Sequence, residues 1–118
     1  MAAGAAMVLL GGVHSPRAFA NQDDVTLIRG SSIRYRCGGG EQLQATYYSL
    51  RDRSLAFVRL RLPDGRLLTL PAVASASGER FSTYRNFTWW STWRGSFLQK
   101  RDSKGEWRIS LQNCDPES

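Results

Sequence analysis

Phe57-Val58-Arg59-Leu60-Arg61-Leu62-Pro63-Asp64-Gly65 reads as a strand that runs straight into a reversal. Val58, Leu60 and Leu62 fall on one side and Arg59 and Arg61 on the other, the period of two that a half-buried strand requires. Pro63 presets one turn dihedral, Asp64 favours a local hydrogen-bonded turn, and Gly65 accepts a positive φ. The apolar run Leu67-Leu68-Thr69-Leu70 that follows is therefore the returning arm of a hairpin.

The same grammar extends in both directions. Ile33-Arg34-Tyr35-Arg36-Cys37 alternates, with Ile33, Tyr35 and Cys37 inward and Arg34 and Arg36 toward water, before Gly38-Gly39-Gly40 ends the run. Further β-patterned runs lie at residues 43–49, 87–93, 97–100 and 107–111, separated by Arg51-Asp52-Arg53, by Ser75-Ala76-Ser77-Gly78-Glu79-Arg80-Phe81 and by Asp102-Ser103-Lys104-Gly105. No helical period is sustained anywhere. The expected fold is all-β, a small antiparallel barrel of roughly seven or eight strands, because closure removes exposed sheet edges. Along residues 87–93, alternation should bury one set of Trp89, Trp90 and Trp93 and expose the other.

Length and composition bound the rest. The chain has 118 residues, 16 basic and 10 acidic, for a formal charge of +6, which is one domain's worth of sequence. Residues 1–13 carry no charge and are mostly small or apolar, and Ala18-Phe19-Ala20 has the small-x-small form of a leader cleavage site. Residues 1–20 are expected to be a signal peptide and residues 21–118 the exported domain. No cysteine lies near that site for lipid attachment, and no later run is long enough to span a bilayer. The expected location is thus the periplasm, as a soluble protein. Cys37 and Cys114 are the only cysteines, and in a small exported domain their single possible pairing is a disulfide.

The single histidine, His14, sits in the expected leader. Histidine-dependent triads and histidine-bound zinc are excluded from the domain, and no CxxC pair offers a metal or redox site. The carboxylates lie mostly beside turn residues, so an enzyme is not expected, nor any cofactor. Export and the lack of any nucleic-acid-binding signature argue against nucleic acid as a partner.

Tyr35-x-Cys37 with its glycine-rich turn, the Asp64-Gly65 hairpin, Ser75-Ala76-Ser77-Gly78-x-x-Phe81, the aromatic strand ending in Trp89-Trp90, and the late Cys114 together resemble the periplasmic and membrane-bound inhibitors of c-type lysozyme, the MliC/PliC group. The resemblance spans residues 35–114. It implies an eight-stranded barrel whose Ser-Ala-Ser-Gly loop enters the lysozyme cleft, with c-type lysozyme as partner to a monomer or homodimer. The residues it assigns to the contact are Ser75, Ser77, Gly78 and Phe81, with Ser77 approaching the two catalytic carboxyl groups of a retaining glycosidase.

The sequence departs from the family pattern at two places. Phe81 stands where the family usually has tyrosine. The family's Lys-Gly pair is replaced by Trp90-Ser91-Thr92-Trp93-Arg94-Gly95, so either Arg94, through an insertion, or Thr92, without one, occupies the lysine position. Only Arg94 could keep a charged pair with carboxylate. With Arg17 discarded the domain retains fifteen basic against ten acidic residues, and since animal c-type lysozymes are usually basic, long-range attraction would not assist the encounter. The alternative class is an arginine-rich β-domain that binds anionic envelope components through Arg34, Arg36, Arg59 and Arg61.

Overall fold

A computed structural model of the chain describes residues 25–117. The expected signal peptide, residues 1–20, lies outside the described residues. Eight strands follow one another: β1 (Leu27–Arg36), β2 (Gln42–Leu50), β3 (Ala56–Arg61), β4 (Leu67–Val73), β5 (Glu79–Ser82), β6 (Phe87–Thr92), β7 (Gly95–Arg101) and β8 (Trp107–Pro116). Each pairs antiparallel with its neighbours in sequence, and β8 returns to β1 to close the barrel.

The Pro63-Asp64-Gly65 reversal forms as its residues dictate. Leu62 N–H donates to the Arg66 carbonyl at 2.8 Å, Gly65 N–H to the Leu62 carbonyl at 2.9 Å, and Val58 pairs with Leu70 across the hairpin. Inward alternation from successive strands fills the interior with Tyr35, Leu43, Ala45, Val58, Leu60, Leu70, Phe81, Trp89, Leu98 and Leu111. Trp89 occupies the middle with no exposed surface, edge-on to Tyr35 at 5.1 Å between ring centres. Its Nε1–H donates to the Tyr47 hydroxyl at 3.0 Å, so the buried indole donor has a partner.

Inward positions turn polar toward one end. On β2 they run Leu43, Ala45, Tyr47, Ser49; on β6, Phe87, Trp89, Ser91; and on β5, Phe81 and then Glu79. The β2–β3, β4–β5 and β6–β7 connections leave the barrel at this end, as up-and-down connectivity requires.

The seam is narrow, because β1 and β8 pair only through Tyr35↔Pro116 and Arg36↔Asp115. The Cys37–Cys114 disulfide lies immediately beside those pairs, both sulfurs buried. Gly38 N–H to the Gln112 carbonyl, Glu117 N–H to the Arg34 carbonyl and an Arg36–Glu117 ion pair at 3.1 Å extend the fastening.

Several boundaries differ from the sequence expectation, the first being β1, which begins at Leu27 and not at Ile33. Glu79, Arg80 and Phe81 belong to strand β5 rather than to a turn, since a four-residue strand is too short to display a period. β6 stops at Thr92, which leaves Trp93 at a hairpin tip, 84 % exposed and outside strand parity. β8 continues to Pro116 because barrel closure, which no local pattern records, gives its last residues a partner.

Candidate binding loop

The β4–β5 connection consists of Ala74, Ser75, Ala76 and Ser77 and ends at Gly78. The Ser77 carbonyl oxygen holds it together by accepting from the Ser75 hydroxyl at 2.7 Å and from Trp90 Nε1–H at 3.0 Å. Trp90 is itself held on the outer wall between Phe97, at 5.8 Å, and the Arg80 guanidinium, at 5.2 Å. These loop bonds leave the Ser77 hydroxyl unused, and Ser77 is exposed. The loop is ordered by one serine and an indole while a second serine points outward.

Gly78 has two separate requirements. Its φ of +68° is the left-handed region that favours glycine, and a Cβ there would land on the Ser91 carbonyl oxygen and 3.1 Å from Thr92 Cα. The loop therefore lies directly against the end of β6. That contact brings it beside the β6–β7 tip, where the Thr92 hydroxyl donates to the Gly95 carbonyl at 2.7 Å and accepts from Arg94 N–H at 3.2 Å. The Arg94 guanidinium sits 4.7 Å over the exposed Trp93 ring, a cation–π arrangement that leaves its donors facing water.

Ser75, Ser77, Gly78, Thr92 and Arg94 are thus gathered at one end of the barrel. Phe81 is not gathered with them at the surface: it is 4 % exposed, packed 5.6 Å from the Tyr47 ring, and supports the loop from inside. Its inward position follows from strand β5, in place of the turn that the small residues before it suggest. Thr92 spends its hydroxyl on the turn, while the Arg94 guanidinium, stacked on Trp93, makes no hydrogen bond or ion pair among the described residues.

The shifted titratable groups owe their shifts to burial and to turn hydrogen bonds. Burial, and then the hydrogen bond with Tyr35, hold the Tyr47 phenol well above the ordinary tyrosine range, so it remains a neutral hydrogen-bonding group. Asp52, Asp64 and Asp102 are pulled below the usual carboxylate range, in each case foremost by a backbone N–H within their own turn. Among the described residues no cluster of histidine, cysteine and carboxylate could hold a metal ion, and no helix is long and apolar enough to cross a membrane.

The structure is thus a closed up-and-down barrel with a braced polar loop at one end. The family described as membrane-bound lysozyme-inhibitor of c-type lysozyme matches residues 35–107, from the buried tyrosine of β1 to the first residue of β8. The chain belongs to that family. It is also similar to a protein of Cupriavidus necator named membrane-bound lysozyme inhibitor of C-type lysozyme, 29 % identical over 83 residues, which cover 70 % of this chain and 63 % of the relative. The chain thus spans somewhat under two thirds of that relative's length.

Proposed function

We propose that this protein inhibits c-type lysozyme by seating the 75–78 loop in the enzyme's cleft, as an exported envelope protein with no catalytic activity of its own. The observation that carries this reading is the bracing of the Ser77 carbonyl, which holds the Ser77 hydroxyl outward in a preset geometry. A loop ordered before contact loses little conformational entropy on binding. The cleft of a retaining glycosidase contains two carboxyl groups, and a serine hydroxyl can donate to one and accept from the other according to their protonation. Arg94, beside the loop, supplies a guanidinium for a cleft carboxylate in place of the family lysine.

The test is lysis of peptidoglycan by c-type lysozyme with added protein, at low and moderate salt. Ser77→Ala should weaken inhibition by about 1 to 3 kcal/mol with the melting temperature unchanged. Undiminished inhibition would place the contact elsewhere on the barrel.

Arg94 and Thr92 separate in the same assay. Arg94→Ala should cost about 1.5 to 3 kcal/mol of binding and almost no stability, since it removes a charged donor outside the fold's own hydrogen bonds. Thr92→Ala should do the reverse, lowering stability by about 1 kcal/mol through the lost turn bonds. A silent Arg94→Ala alongside a Thr92→Ala that abolishes inhibition would give the clamp position to Thr92.

A second reading has its own observation. On the wall formed by β1, β2 and β3, Arg29, Arg59 and Arg61 surround a shallow groove of about 210 Å³ with Gln44, Thr46, Tyr48 and Leu67, and no carboxylate lines it. Such a wall suits an anionic envelope component. Salt distinguishes the two: association through exposed arginines falls steeply as ionic strength rises, whereas loop-in-cleft inhibition, built on short-range contacts, persists.

A further inference from the structure

The mouth of the barrel beside the loop is a cup of about 380 Å³ whose lining includes Tyr35, Tyr47, Phe81, Ser49, Ser91 and Glu79. Its position follows from the change along the strands described above, where each inward row passes from apolar to polar as it nears this end. Volume and lining fall in the range of sites that take a small group, with aromatic walls and a few polar atoms.

Charge sets the cup apart. In a chain with a formal charge of +6, none of its lining residues is a lysine or arginine, and its only ionisable acid is Glu79. The acids elsewhere are mostly engaged: Asp64 with Arg66, Asp102 and Glu106 with Arg108, and Glu117 with Arg36. Glu79 takes part in no ion pair among the described residues. Arg80, next to it, points to the opposite side of β5 and stacks on Trp90. Glu79 shares the inward parity of Phe81, two residues on, and lies across from Ser91 in the β5–β6 register. Ser91 is the residue whose carbonyl lies against Gly78, so the cup opens at the foot of the binding loop.

We infer that this cup receives a cationic side chain, lysine or arginine, from the protein that the loop engages. The inference rests on the inhibitor reading for the identity of that protein. The carboxylate of Glu79 meets the charged head, the hydroxyls of Ser49 and Ser91 accept remaining donors, and the rings of Tyr47 and Phe81 cover the aliphatic stem. Docking a basic chain on a basic enzyme has no long-range attraction to help it. A single acid in a cation-free cup supplies complementarity at contact range, where it fixes register.

Two measurements test it. In the first, the protein is titrated with N-acetyl-arginine amide and N-acetyl-norleucine amide while the indole N–H resonance of Trp89, bonded to Tyr47 beneath the cup, is followed by NMR. The arginine amide should bind in the millimolar range and shift that resonance, the norleucine amide should not, and Glu79→Gln should weaken the response about tenfold. In the second, Glu79→Gln should raise the concentration needed for half-inhibition of lysozyme about tenfold, and Glu79→Lys about a hundredfold or more, with unchanged melting temperatures. If Ser77→Ala weakens inhibition while Glu79→Gln changes neither measurement, the cup is not a cation site and the inhibitor reading stands. If the unmodified protein does not inhibit lysozyme, the inhibitor reading falls. The assignment of the cup is then decided by the titration alone, upheld by Glu79-dependent binding and overturned by its absence.

Discussion

Replacing Cys37 and Cys114 together with alanine is expected to lower stability by roughly 4.5 kcal/mol, the chain-entropy value for a cross-link of this span, and the melting temperature by about 15 °C or more. The residues are 77 apart in sequence, so in the unfolded chain the bridge restrains nearly the whole domain. In the folded chain it stands beside a seam of only two residue pairs between β1 and β8. Alanine leaves a small apolar group at two buried positions and adds no unpaired donor. Urea or thermal unfolding of the oxidised wild type against the double variant measures the loss. A difference below about 1 kcal/mol would mean that the Gly38–Gln112 and Arg34–Glu117 hydrogen bonds and the Arg36–Glu117 pair hold the seam without the disulfide.

Gly78→Ala should be the most damaging single change in the 75–78 loop. A non-glycine residue at a φ of +68° carries strain of about 1 to 3 kcal/mol. The added methyl meets backbone atoms of Ser91 and Thr92, which cannot rotate away as a side-chain tip could, so crowding adds about 1 to 3 kcal/mol. Relief comes only by lifting the loop off β6, which breaks the Trp90 bond to the Ser77 carbonyl and releases the geometry that presents the Ser77 hydroxyl. Inhibition should fall by about a hundredfold or more, alongside a lower melting temperature. Gly65→Ala is the control. Its φ is +92°, yet nothing lies within 4 Å of the added Cβ, so strain alone operates, far from the loop, and inhibition should survive. Equal effects of the two variants on inhibition would show that the close approach of Gly78 to β6 does not order the loop.

Local chemistry determines a good deal of this protein. The alternation of Val58, Leu60 and Leu62 against Arg59 and Arg61 sets which face of β3 is buried, and Pro63-Asp64-Gly65 sets where the chain reverses. The small residues from Ser75 to Gly78 mark a connection that can approach another surface closely. These are short-range properties, written in the residues that carry them. The side chains meeting across the barrel are a different matter. Whether Phe81 belongs to a turn or to the core depends on its pairing with Trp89 of β6, and whether Thr92 is free depends on the Gly95 carbonyl that the hairpin brings to its hydroxyl. Trp90 reaches Ser77 across thirteen residues, and Tyr47 receives Trp89 across forty-two. The stagger of eight closed strands brings such distant positions together, and it places Glu79 in a mouth without cations. Strand periodicity specifies which face a residue takes but carries no information about which residue of another strand it will face, so the loop could be read from the sequence and the cup beside it could not.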